Sequence, residues 1–468
     1  MGNKAKYAAL SKNTVLFTVN SFGSKMISFL LVPLYTYVLN AKDFGTADLV
    51  TSTVSLLIPI LTLNIQDAVL RFALDKDKNK KDVIRIGIQI NLIGSILLSV
   101  LLFFFVKSGI LNLDKKYLYF LFLSYLTGGI YNCFSMYLKA LDKVGILVVS
   151  GIASTLTSCL LNILLLIVFD IGINGYLIAN ISGMGIAVIL MFFCGGIYKD
   201  YKLSMDRKLA KEMILYCFPL AFNGVAWWIN NASDKYILTF FCGVTANGIF
   251  SVAYKIPTIL STLQGIFYNA WSVSAITEFD KKDSDGFIGN IYVLYSCISV
   301  TGCSVIMICN VFIARILYAK DFFAAWEYVP FLLLGAVFNG LALFEGCLYS
   351  AAKRTKEVFY TTLAGAFVNT AANFIFIQIV GPLGAAIATM LGYFVIWILR
   401  TRGIFQFIKL RVDWKRQVFI LIILLIQTLI ALQRNTEVLQ TGCLLLIIFF
   451  QRDYIKKIFW KLTKRGES

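Results

Sequence analysis

The sequence predicts an all-α polytopic membrane protein with about 14 transmembrane helices, set out as two six-helix lobes in parallel repeat plus a C-terminal helix pair. Three observations carry that expectation. The 468 residues are 59% hydrophobic and only 15% charged, far too apolar for a soluble globular chain. The apolar residues fall in runs near the roughly 20 residues that a helix needs to cross a bilayer. The second half of the chain also echoes the first at an offset of about 203 positions.

Taken in order, the first six runs are Ser11 to Leu39, Thr46 to Phe72, Val83 to Val106, Tyr117 to Leu138, Ile146 to Phe169 and Gly175 to Ile197. The next six are Met213 to Phe241, Gly248 to Ile276, Phe287 to Ile313, Tyr328 to Ser350, Val358 to Val380 and Leu383 to Leu399. A shorter last pair, Val418 to Leu432 and Val438 to Phe450, has basic flanks. The expected domains are an N-terminal lobe at 1–205, a C-terminal lobe at 206–405, and an extra helix pair with a basic tail at 406–468.

The basic residues give the orientation. With the N-terminus inside, about 32 of the 43 Lys and Arg fall in inner segments, about 7 in outer ones and about 4 within spans, the asymmetry of the positive-inside rule. Both termini are therefore expected to be cytoplasmic, and the net charge of +18 reports topology. It does not report nucleic-acid binding, because the basic residues form no single patch with interleaved aromatics. The first run is too long for a signal-peptide core and lacks a small-residue cleavage site, so the first helix is expected to be retained. Ten scattered cysteines and the absence of any histidine point to no zinc site, no disulfide framework and no cofactor.

The repeat pairs Asn20 with Asn223, and Gly172-Ile173-Asn174-Gly175 with Gly381-Pro382-Leu383-Gly384. An even number of spans per lobe brings both halves in from the same side, as parallel repeats that enclose a central cavity. Helical spacing identifies its lining. Thr14, Thr18, Ser21, Lys25 and Ser28 recur at steps of four and three, as do Asp48, Ser52, Ser55, Thr62 and Gln66. Ser251, Lys255, Thr258 and Thr262 repeat the pattern, and the seventh helix adds Asn223, Trp227, Asn230 and Asp234, with Lys235 beside it. Ser and Thr alone also serve as packing glue between membrane helices, but an intramembrane ammonium is expensive and marks a pathway. Lys25 and Lys255 are thus expected to bind an anion, with Lys235, Ser21, Ser28, Ser52, Thr258, Asn223 and Trp227 as further substrate contacts. Asp48, Asp234 and Glu345 are candidates for ion coupling. Asp67 and Arg71 form either a gate pair or an interfacial anchor. Adjacent Asp234 and Lys235 cannot share one helix face, so each needs its own partner.

Pro33-Leu34-Tyr35-Thr36-Tyr37-Val38-Leu39, followed by Asp43-Phe44-Gly45, resembles the opening signature of bacterial polysaccharide exporters of the Wzx type. The segment Asp234-Lys235-Tyr236-Ile237-Leu238, then Ala246 to Pro257, is similar to that family's second-half signature, and Gly381 to Thr389 to its twelfth-helix entry. The resemblance implies the fold of the multidrug, oligosaccharidyl-lipid and polysaccharide exporter superfamily and no enzymatic activity. It implies transport of an oligosaccharide on undecaprenyl diphosphate across the inner membrane, for O-antigen, lipopolysaccharide or capsule synthesis. Its implied partners are membrane lipids, a proton or sodium ion, and polysaccharide polymerase and chain-length proteins. One alternative is a multidrug cation exporter on the same fold, which would want carboxylates to outnumber lysines. A membrane glycosyltransferase or polymerase would want a large outer loop with catalytic groups. The longest outer loop here is about Ala314 to Glu327.

Overall fold

A computed structural model describes residues 23, 25–75, 77–108, 114–199, 206–277, 279–280, 282–284 and 286–464. Every regular element among them is helical, and nine of these helices are long and apolar enough to cross a membrane. Others of similar length, such as Lys115–Ala140 and Lys255–Thr277, carry more polar residues. The chain forms two compact units, Met1–Ala232 and Ser233–Ser468.

The first unit holds α1 (Val32–Val38), α2 (Ala41–Leu61), α3 (Ile65–Ala73), α4 (Lys80–Ser108), α5 (Lys115–Ala140), α6 (Val144–Ile163), α7 (Ile173–Cys194) and the start of α8 (Arg207–Ala253). Asn40 caps α2, accepting the Asp43 N–H at 2.8 Å and donating to the Asp43 carboxylate at 2.9 Å, a reciprocal arrangement that satisfies first-turn donors. The unit's main core packs Val69 of α3, Ile84 of α4, Tyr137 of α5 and Met191 of α7 against Met213 and Cys217 of α8. This is why the first part of α8 belongs to the first unit and the division falls inside that helix.

The second unit continues with α9 (Lys255–Thr277), α10 (Phe287–Ile308), α11 (Asn310–Leu317), α12 (Val329–Ala351), α13 (Thr355–Val380), α14 (Pro382–Ile404), α15 (Trp414–Ile430) and α16 (Glu437–Lys464). Hydroxyls of α10 dock the last two helices. Ser296 and Ser304 donate to Gln417 and Gln427 of α15 at 2.8 and 2.6 Å, and Thr301 donates to Gln451 of α16 at 2.9 Å. Lipid supplies no hydrophobic force between helices, so polar contacts of this kind hold them in register.

Two expected spans are interrupted. The run Thr46 to Phe72 breaks after α2, where Leu63 and Asn64 take left-handed φ values of 52° and 58°. Pro59 lies inside α2, and the helix closes three residues beyond it with the Thr62 N–H on the Ile58 carbonyl at 3.0 Å. Asn64 then donates to Asp67 at 2.6 Å across the new helix start. The run Gly248 to Ile276 breaks at Tyr254, where Pro257, in the first turn of α9, has no N–H to offer the Ala253 carbonyl. Inside α8, Gly243 leaves the helix at φ 83°, ψ 169°, just beyond the expected end of the seventh span.

Backbone geometry echoes the repeat. Gly172 before α7 sits at φ 59°, ψ −138°, and Gly381 before α14 at φ 63°, ψ −144°, a region that side chains essentially exclude. Three residues on, Gly175 lets α7 approach Leu165 and Gly384 lets α14 approach the Phe376 backbone.

Contacts also join segments that alternate spans place on one membrane side. Lys78 pairs with Glu212 at 2.5 Å, and this bond raises the Lys78 ammonium above the ordinary lysine value. The Asp283 carboxylate accepts the Ile288, Gly289 and Arg411 N–H groups at 3.0, 3.0 and 3.2 Å. Arg434 lies over the Phe323 and Trp326 rings, 5.3 Å from each.

Candidate functional site

The second unit builds a buried polar cluster around Asp234. Asp234 stands near the start of that unit on α8 and is only 2% exposed. Asn369 and Asn373 lie one turn apart on α13, Thr389 lies on α14, and Tyr254 stands at the break before α9. Thr389 donates its hydroxyl to Asp234 Oδ2 at 2.6 Å, and Asn373 Nδ2 donates to Oδ1 at 3.1 Å. The Tyr254 hydroxyl reaches Asp234 Oδ2 at 3.4 Å and Thr389 at 3.4 Å. Asn373 Nδ2 also bonds Asn369 Oδ1 at 2.8 Å.

Every one of these donors is neutral. A buried carboxylate stabilised by neutral groups alone is costly as an anion, and it can be matched by a proton or by a small cation. Hard oxygen ligands for a cation surround it: the carboxylate, the Thr389 hydroxyl and the Asn369 and Asn373 carbonyls. Asn373 Oδ1 is buried, with no hydrogen-bond partner among the described residues. Among the described residues there is no group of three or more His, Cys, Asp or Glu that could hold a metal ion.

A second buried carboxylate, Glu345 on α12, is 0% exposed and accepts the Thr401 hydroxyl at 2.7 Å. Neighbouring Arg400 directs its N–H groups elsewhere, to the Ala342 carbonyl at 2.6 Å and the Thr362 and Thr361 hydroxyls at 3.0 and 3.2 Å.

The other candidates lie as follows. Lys25 and Ser28 are exposed, while Lys255, Lys235 and Thr258 are half-buried. The Thr258 hydroxyl donates to the Tyr254 carbonyl at 2.8 Å. Ser52 is buried, and its carbonyl accepts the Trp228 indole N–H at 2.8 Å. Asp48 is half-buried, within electrostatic reach of Tyr176. Asp67 accepts from Asn64, Arg71 is exposed, and the two form no ion pair. Ser21 lies outside the described residues, as do the side chains of Asn223 and Trp227. Asn369, Asn373 and Thr389 had not been singled out as site residues. The i, i+4 spacing of the two asparagines inside an apolar helix was the available signal.

Residues 10–272 match the model of a family described as polysaccharide biosynthesis protein. The chain belongs to that family. In fold it is similar to the lipid II flippase MurJ in an inward closed conformation, with a TM-score of 0.71 and 15% identity, covering 94% of this chain and 100% of that one. It is also similar to an inward-facing multidrug resistance transporter of the MATE family and MOP superfamily, with a TM-score of 0.65 and 12% identity, covering 82% of this chain and 95% of that one. The chain thus shares its fold with these membrane transporters. An uncharacterized membrane protein of Methanocaldococcus jannaschii is 24% identical over 254 residues, covering 50% of this chain and 49% of that protein. The chain therefore spans about half the length of this curated relative.

Proposed function

We propose that the protein flips an oligosaccharide repeat unit, carried on undecaprenyl diphosphate, across a bacterial inner membrane by alternating access, for O-antigen, capsule or a related surface polysaccharide. Membership of a polysaccharide biosynthesis family, in a chain with a flippase-like fold over 94% of its length, carries this reading. Both termini are placed in the cytoplasm. Lys25 and Lys255 hold the diphosphate, since ammonium groups act on phosphate as point charges. Hydroxyls and aromatics such as Tyr254 contact the sugars, and the isoprenoid tail stays in lipid. Asp234 carries the coupling proton or sodium ion.

The test is a leaflet-flip assay in proteoliposomes with undecaprenyl-diphosphate-linked oligosaccharide. Time-dependent loss of the sugar from one leaflet is expected. Failure to move it, together with export of cationic dyes, would replace this reading with the multidrug one.

A further inference from the structure

We infer that the groove between the adjoining ends of α4 and α5 is a binding site for an anionic phospholipid, with one acyl chain lying in the groove and the phosphate at Lys115. The pocket has a volume of about 460 Å³ and is lined by Ser99, Leu102, Phe103 and Val106 of α4 and by Lys115, Leu118, Tyr119 and Phe122 of α5. That volume is within the range of small-molecule sites. Both quartets fall at i, i+3, i+4 and i+7, so each is one continuous helix face. The two faces extend over roughly 10 Å at 1.5 Å per residue.

The groove carries a charge at one end only: Lys115 is its one ionisable cation, and the Ser99 hydroxyl at the other end is taken up by the Ser95 carbonyl at 2.9 Å. The two helices are antiparallel neighbours joined at residues 109–114, which places Val106 level with Lys115 and Ser99 level with Phe122. The ammonium therefore stands at the membrane boundary and the apolar walls run inward from it. A molecule with an anionic head and a hydrocarbon tail matches that polarity.

Charge supports the same occupant. Of about seven basic residues that the topology assigns to outer segments, three are Lys107, Lys115 and Lys116. Lys116 is neutralised by Asp114 at 3.2 Å. Lys115, the one that lines the pocket, has no ion pair among the described residues. The inference rests on the chain being a membrane protein and is independent of its cargo.

The test uses the purified full-length protein in detergent, titrated with phosphatidylglycerol and phosphatidylcholine of equal chain length, with bound lipid read by native mass spectrometry. The wild type should retain phosphatidylglycerol at least about fivefold better. Lys115→Gln, on an exposed residue, should remove most of that preference without changing the melting temperature. Ser99→Trp, which fills the inner end of the groove, should reduce adducts of both lipids, and Val106→Trp provides the same test from the outer end. Lys107→Gln, outside the lining, should leave the preference intact. Equal retention of the two lipids, an unchanged preference in Lys115→Gln, or an equal loss in Lys107→Gln would overturn the site.

Discussion

Thr389 donates its hydroxyl to the Asp234 carboxylate at 2.6 Å, from a helix that begins about 150 residues later in the chain. The contact joins the first helix of the second unit to its Gly381-Pro382 entry helix, and among the described residues the donors to Asp234 are all neutral. Asp234→Asn keeps the shape of the side chain but loses the charge. Transport in the leaflet-flip assay is expected to fall at least about tenfold, with the melting temperature retained, because a buried carboxylate among neutral partners marks function more than stability. Thr389→Val, which removes one donor, should lower stability by about 1 kcal/mol, between the aqueous and membrane values for such bonds. Wild-type transport by Asp234→Asn would exclude it as the coupling residue.

Lys25 is exposed, so its side chain contributes little packing. Lys25→Ala should abolish surface polysaccharide in cells at unchanged protein level and melting temperature, and Lys25→Arg should retain part of the activity, since both are cations. Immunoblots for polysaccharide and protein from the same cells provide the check. Normal polysaccharide in Lys25→Ala would remove it from the diphosphate site.

Helices of membrane-crossing length and the two glycine corners were legible because they depend on local composition and on glycine. Gly172 and Gly381 share a backbone conformation that few other residues adopt, so their alignment in the sequence anticipated matched corners. That Asp234 and Lys235 point to different helix faces followed from helix periodicity alone. The identity of Asp234's partners did not, because Asn373 and Thr389 are more than a hundred positions away and only tertiary packing brings them in. The helix break at Tyr254 was hidden for another reason. Counting apolar residues measures the length of a run, whereas a proline acts on the carbonyl four residues before it.

Gln427 of α15 is 0% exposed, accepts the Ser304 hydroxyl at 2.6 Å and returns its amide N–H to the Ser304 carbonyl at 3.1 Å. Gln427→Leu keeps the bulk of the side chain and deletes both bonds. A loss of about 1–2 kcal/mol is expected, near the upper end for polar contacts between membrane helices. It would be measured as a lower melting temperature in detergent. Leu at Gln433, which is exposed in the linker that follows, should leave the melting temperature unchanged.

Arg400 uses its planar fork to reach three acceptors on two helices. Arg400→Lys preserves the charge but cannot reproduce that geometry, so one or more acceptors on α12 and α13 are left unpaired. Destabilisation of about 1–3 kcal/mol is expected, the range for a buried polar group deprived of its partner. Thermal unfolding of the variant beside the wild type measures it. An unchanged melting temperature would show that the charge alone, and not the fork, holds this corner.

The break at Tyr254 links sequence to site more directly than any other feature. Pro257 lies in the first turn of α9, where proline is tolerated, and it deprives the Ala253 carbonyl of a donor. The regular helix is interrupted there, and the Tyr254 hydroxyl comes within 3.4 Å of both Asp234 and Thr389. Pro257→Ala restores the missing N–H, so the end of α8 should run on into α9 and carry the Tyr254 ring around the helix by part of a turn. Helix continuity favours stability, and the expected melting temperature is unchanged or higher. Transport should nevertheless fall about threefold to tenfold, because losing one contact in a polar cluster weakens the others. Tyr254→Phe, which deletes the hydroxyl and leaves the break, should reproduce the transport defect without the gain in stability. If Pro257→Ala transports normally while Tyr254→Phe does not, the hydroxyl matters and the break does not position it.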